Sequence, residues 1–269
     1  MKKTDAHSRV TALIEVLEFE DLNEDEEYNK LNKFFHELSQ EIYHFRKQNY
    51  NLGLRAIEPE LTITADRIQM TSPLYLEKDL PELSSMVFKT FIDFCNLFIS
   101  VAVDNRIALS GFASIGNNYR SEVYSSINGI AHSKETMVLK DLLKVFSFDD
   151  IFPEGFQQNV IAPVSVPLFY GKDLKKVVKM LSEIREIGIF MPSDIISIPA
   201  TEVAVYSDML IDTRFNGKNF YCCNWKTYIP KNDDNFSADK MMEDLEYLSQ
   251  SDNVHAPMWK KFLVRFNEI

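Results

Sequence analysis

Two acidic side chains, Glu15 and Asp66, stand inside short runs that otherwise read as β-strand. The first run is Thr11-Ala-Leu-Ile-Glu-Val-Leu-Glu-Phe19; the second is Leu61-Thr-Ile-Thr-Ala-Asp-Arg-Ile-Gln-Met70. A carboxylate in such surroundings is costly unless it is solvated at a strand end, paired, or bound to a cation. If the two strands are neighbours, the acids can share one divalent metal site. If they are not, Glu15 and Asp66 are merely strand-end acids of a structural domain.

Other chemistry is scarce. The five histidines show no zinc-ligand spacing, and the chain has no G-x-G-x-x-G or Walker phosphate loop. Cys95, Cys222 and Cys223 are too few and too badly placed for a disulfide framework; they read as core residues of a reduced, cytoplasmic protein. The net charge of −11 argues against broad nucleic-acid binding, which needs a basic face. Much of the acid lies in Glu18-Phe-Glu-Asp-Leu-Asn-Glu-Asp-Glu-Glu27, a solvated loop that opens a helix and suits the helix dipole. The most apolar stretch, about residues 91–103, is interrupted by Asp93, Asn96 and Ser100, so no membrane span is expected. The first residues lack the apolar core of a signal peptide.

The elements that must position the acids follow from periodicity. A strand over 10–19 leads to a helix with Leu31, Phe34, Phe35, Leu38, Ile42 and Phe45 on one face. Strands follow at 60–63 and 67–71. Pro81 then opens a helix apolar round much of its circumference, hence deeply buried. A strand over 106–113 precedes an insertion, about 114–160, carrying its own helix. An extended stretch over 161–169 comes next, then a helix with Leu174, Val177, Val178, Leu181 and Ile184. Strands are expected at 188–191, 201–207 and 220–228, with Asn216-Gly217 as a turn before the last. Helices close the chain, the first capped by Ser237. This order predicts an α+β, ferredoxin-like sandwich: a mixed, mostly antiparallel sheet with helices on one face, a helical insertion, and C-terminal helices. Residues 1–230 form the main domain, and 231–269 a helical extension packed on it.

Several segments together resemble the class III nucleotidyl cyclases, closest to the divergent bacterial branch that includes the pyrimidine cyclases of Pycsar anti-phage defence. They are Ile14-Glu-Val-Leu-Glu-Phe19, Ala65-Asp-Arg67 with its Thr71-Ser-Pro73 exit, and Arg106-Ile-Ala-Leu-Ser-Gly111. Tyr170-Gly-Lys-Asp-Leu174, Tyr221-Cys-Cys-Asn-Trp225 and Trp259-Lys-Lys-Phe262 complete the set. The resemblance implies a lyase that converts a nucleoside triphosphate to a 3′,5′-cyclic nucleotide and pyrophosphate by two-metal chemistry. It implies Glu15 and Asp66 as ligands of Mn²⁺ or Mg²⁺ and a homodimer; the charge and the apolar pattern add the expectation of no nucleic-acid and no membrane partner. The family's transition-state pair aligns with Lys175 and Lys179, four apart and so on one helical face; the same lysines also read as part of a solvated face with Lys172 and Lys176.

The chain departs from the family pattern at three points. Glu15 stands where the family has aspartate, and a longer arm suits octahedral Mg²⁺ poorly. Glu18 stands where a glycine lets phosphate approach the backbone. Lysines replace the Asn and Arg pair. Two functions therefore stand side by side: an active cyclase, or a catalytically silent relative that senses nucleotide or binds a protein.

Overall fold

The computed structural model describes residues 8–17, 24–51, 57–64, 67–72, 81–117, 119–125, 164–170, 172–197, 206, 208–228, 238–251 and 254–267. The elements are β1 (Ser8–Val16), α1 (Glu24–Asn51), β2 (Glu60–Thr64), β3 (Arg67–Thr71), α2 (Pro81–Asp104), β4 (Leu109–Asn117), β5 (Tyr119–Ser125) and β6 (Val164–Tyr170). After them come α3 (Lys172–Ile184), β7 (Gly188–Pro192), β8 (Leu210–Phe215), β9 (Lys218–Cys223), α4 (Ala238–Gln250) and α5 (Ala256–Asn267).

Seven strands form one sheet in the order β2-β3-β1-β4-β7-β9-β8. Neighbours are antiparallel except β4 and β7, which run parallel. The first six elements thus make a split βαβ unit, the ferredoxin-like α+β arrangement expected from the element order. A parallel neighbour needs a crossover connection; α3 lies in the one between β4 and β7 and packs against β4 and β1. Among the described residues, β5 and β6 pair only with each other.

Four local expectations are corrected. The fourth strand starts at Leu109, not 106, because Arg106 takes a left-handed turn (φ 55°) after α2. The polar start of the expected insertion is the end of β4 and strand β5; the helix expected near 137–146 lies outside the described residues, as do Ser237 and all of 201–207 except Tyr206. The strand expected over 220–228 ends at Cys223, where Asn224 caps a 3₁₀ turn over Trp225–Thr227. Val178 is exposed, while Val177, Leu181 and Ile184 carry the buried stripe of α3.

β8 was not expected. Its exposed Asp212 and Arg214 alternate with half-buried Ile211, Thr213 and Phe215. That alternation, followed by Asn216-Gly217, is a hairpin signal legible in the sequence. Both turn residues have positive φ (48° and 76°), which Asn and Gly tolerate best.

α2 is long and apolar enough to cross a membrane, contrary to the reading of its polar breaks, but most of that stretch is buried inside the fold. It packs against α1, β7, β9 and the 3₁₀ turn. Its polar residues have local partners: Asn96 Nδ2 donates to Thr227 Oγ1 (2.8 Å) and Ser100 Oγ to the Tyr228 carbonyl (2.9 Å). Asp93, four residues from Lys89 and 2.9 Å from its Nζ, is half-buried. Burial raises its pKa, with the Lys89 hydrogen bond pulling the other way. A raised carboxyl favours the protonated fold, so stability falls as pH rises from the unfolded value through the folded one. Asp93→Asn should therefore raise the melting temperature at pH 7 and change it little at pH 3, as thermal melts at both pH values would show.

Gly111 explains how the sheet centre closes. In register it sits between Ile14 of β1 and Ile189 of β7. A Cβ there would lie 2.9 Å from Ile189 Cγ1 and 3.2 Å from Ile14 Cγ1. The missing side chain lets two isoleucines cover β4. Gly111→Ala should cost about 1–3 kcal/mol of stability by overpacking, measurable as a lower urea midpoint with an unchanged slope.

Candidate active site

β1 and β3 are hydrogen-bonded neighbours. Their register is anchored at the far end. Thr71 lies opposite Thr11 and bonds it through the hydroxyls (3.3 Å), Ser72 Oγ accepts from the Val10 N–H (3.1 Å), and Arg9 Nη1 donates to the Ser72 carbonyl (2.7 Å). A one-residue slip would turn every side chain to the wrong face, so this anchor decides what Glu15 meets four residues on.

Glu15 meets Arg67. The guanidinium donates from Nε (2.8 Å) and Nη2 (2.7 Å) to the same oxygen, Oε1. The Glu15 side chain is 22% exposed and that of Arg67 50%. On the other flank of β1, Glu15 is in register with Ser110 of β4. Directly opposed residues share a sheet face, and Ser110 Oγ is buried there without a hydrogen-bond partner among the described residues. The carboxylate therefore sits between a cation that it already holds and an unused hydroxyl. Arg67 follows Asp66 in the chain. Its partner across the strand was invisible without the register.

Asp66 lies outside the described residues. Lys175 and Lys179 are exposed on α3, and Lys179 Nζ is 3.7 Å from Glu183, one turn along. The acidic run enters α1 at Glu24; residues 18–23 are outside the described residues. Among the described residues no three His, Cys, Asp or Glu side chains converge as a metal cluster.

A carboxylate oxygen at a strand end is a fitting ligand for a hard divalent ion. Arg67 occupies one oxygen of Glu15. The pair is half-exposed, and such pairs are worth about 0–1 kcal/mol, far less than a metal–carboxylate bond can supply. The guanidinium thus competes with a cation here without excluding it. The three cysteines are buried, as expected of core residues, and burial pushes the Cys222 thiol up to about 12.

No protein-family model and no curated protein matches the sequence. Among solved structures, the chain is similar to the adenylyl cyclase CyaB from P. aeruginosa, with 9% identity, a TM-score of 0.44, and 81% of this chain and 94% of that one covered. It is also similar to the guanylate cyclase domain of RhGC from Catenaria anguillulae in complex with GTP (9%, TM-score 0.45, 81% and 97% covered). A dimeric guanylyl cyclase domain from Blastocladiella emersonii gives 8%, 0.43, and 81% and 96%. Overlap this loose carries no weight on chemistry, which has to be argued from the residues of the site.

Proposed function

We propose that this chain is a nucleotidyl cyclase-like protein that converts a nucleoside triphosphate to a 3′,5′-cyclic nucleotide and pyrophosphate, acting as a cytoplasmic homodimer. One observation carries the proposal. β1 and β3 are paired so that Glu15 lies opposite Arg67, the residue that follows Asp66 in the chain. Glu15 and Asp66 would hold Mn²⁺ or Mg²⁺; such ions, when bound, offset triphosphate charge and acidify the ribose 3′-hydroxyl.

The chain's own residues then have defined tasks. Arg67 orients the Glu15 carboxylate in the resting protein by fixing Oε1. Ser110 Oγ, buried beside Glu15 and without a partner among the described residues, offers a hydrogen bond to whatever enters that corner. Lys175 and Lys179, on long arms at one face of α3, are placed by the resemblance to meet polyphosphate; in Lys179 the competing partner is only a 3.7 Å surface pair with Glu183. The bacterial branch that the sequence resembles suggests a place in anti-phage signalling.

The Arg67–Glu15 ion pair favours a second reading, a silent cyclase relative that binds nucleotide or a protein without turnover. Product analysis with Mn²⁺ and each of the four triphosphates separates the two. A cyclic product that is lost in Asp66→Asn supports the enzyme. Thermal stabilisation by nucleotide without product supports the silent form; neither response with any nucleotide, together with no partner protein in pull-downs, removes both.

A further inference from the structure

At the other end of the sheet from β2, a cleft of about 990 Å³ opens between α5 and the β8–β9 hairpin. Its volume is at the upper end for small-molecule sites. α5 divides its faces: Trp259, Phe262 and Phe266 enter the core, while Lys260, Lys261 and Val264 line the cleft. Arg214 and Asp212, two apart on β8 and hence on one face, line the opposite wall.

The lining holds four cations, Arg214, Lys260, Lys261 and Arg265, against two acids, Glu186 and Asp212. On a chain of net charge −11, that is a local reversal of sign. Glu186 is spent internally: Arg265 Nη2 reaches it at 2.6 Å and Lys261 Nζ at 3.1 Å. Arg265 is further held by the Ile187 carbonyl (2.9 Å) and lies 4.8 Å above the Phe190 ring. These groups form a floor in which one carboxylate holds two cations, a net charge of +1. Two cations are left for a ligand. Lys260 is exposed and has no partner among the described residues; Arg214 has its guanidinium plane set by an Nε bond to Asn219 Oδ1 (2.9 Å), and its terminal nitrogens remain to serve the cleft. Asp212, exposed beside them, repels a bare anion but accepts hydrogen bonds from hydroxyls.

We infer that this cleft binds a phosphate ester that also carries free hydroxyls, a sugar phosphate or a molecule of mononucleotide size. Arg214 and Lys260 take the phosphate, Asp212 takes a hydroxyl, and Val264 borders the apolar body. The site is separate from the Glu15 corner and does not depend on the function proposed for it.

Titration calorimetry with ribose 5-phosphate, inorganic phosphate and ribose tests it on the full chain. Saturable one-to-one binding of ribose 5-phosphate is expected, tighter than that of inorganic phosphate, with none for ribose. The double variant Arg214→Ala, Lys260→Ala should weaken it at least tenfold. Asp212→Asn should weaken the ester and not the inorganic ion. Glu15→Gln should leave it unchanged. Both altered cleft cations are exposed, so the double variant is expected to keep its melting temperature. Absence of saturable binding, equal affinity for the inorganic ion, an unaffected double variant, or loss caused by Glu15→Gln would each overturn the assignment.

Discussion

Replacing Glu15 by glutamine is expected to lower cyclic nucleotide formation by about a hundredfold or more, while replacing Arg67 by glutamine is expected to tighten Mn²⁺ binding by about tenfold. The first effect rests on the proposed function, under which Glu15 is a ligand charge in a reaction whose catalysis is position and charge, and a misplacement of about 1 Å alone can cost a hundredfold. The second follows from the geometry of one oxygen. Both short contacts of Arg67 fall on Oε1 of Glu15, at 2.7 and 2.8 Å. An ion that takes this carboxylate must part a pair worth about 0–1 kcal/mol and then sit near a guanidinium. Two unit charges at 4 Å repel by about 1 kcal/mol even in water, and a divalent ion doubles that. The sum exceeds the 1.4 kcal/mol that corresponds to a factor of ten. Arg67→Lys should behave more like the unaltered chain because it keeps the charge. Electron paramagnetic resonance of free Mn²⁺ reads the affinities without any need for turnover. Equal affinity with and without Arg67 would show that the guanidinium does not compete. No Mn²⁺ binding in either protein would instead remove the metal site itself.

The other large effect concerns folding. Trp225→Ala should cost about 3–5 kcal/mol, a large share of the about 5–15 kcal/mol that holds a typical domain together. Trp225 is fully buried in the 3₁₀ turn after β9. Its ring stacks on Phe262 (centroids 6.3 Å apart, 25° between planes) and meets Phe266 edge-on at 6.1 Å. Phe262 in turn touches Trp259 and Phe266. Lys226 adds a hydrogen bond from Nζ to the Phe266 carbonyl (3.0 Å). One side chain therefore joins the sheet, the turn and α5. Trp225→Phe should recover much of the loss, since the aromatic contacts matter more than the indole N–H, which has no partner among the described residues. Urea unfolding of the three proteins gives the comparison. A loss below about 1 kcal/mol in the alanine variant would mean that α5 is not part of the same cooperative unit.

That packing bears on how the chain is divided. The sequence suggested a main domain to about residue 230 and a helical extension beyond it. Trp259, Phe262, Leu263 and Phe266 of α5 share one continuous core with the sheet and α2. Their helical spacing was legible; the surface that they would meet was not, because Trp225 lies 37 residues before Phe262 and its neighbours are set only by the path between them.

Local physics carried much of the sequence reading. Strands β2 and β3, the buried helix after Pro81 and the Asn216-Gly217 turn each announce themselves within a few residues, through alternation, apolar spacing and turn chemistry. β8 carried the same kind of signal and was missed because its charged residues masked the alternation. The sequence by itself therefore determined the α+β class, the strand that bears Glu15, and the strands β2 and β3. Only the tertiary structure decided that Arg67 and Ser110 flank Glu15, that Gly111 lets Ile14 and Ile189 approach across β4, and that cations from α5 and β8 share a cleft. The reason is physical: strand register and helix docking depend on contacts between residues tens of positions apart, and a shift of one residue in register exchanges one set of partners for another.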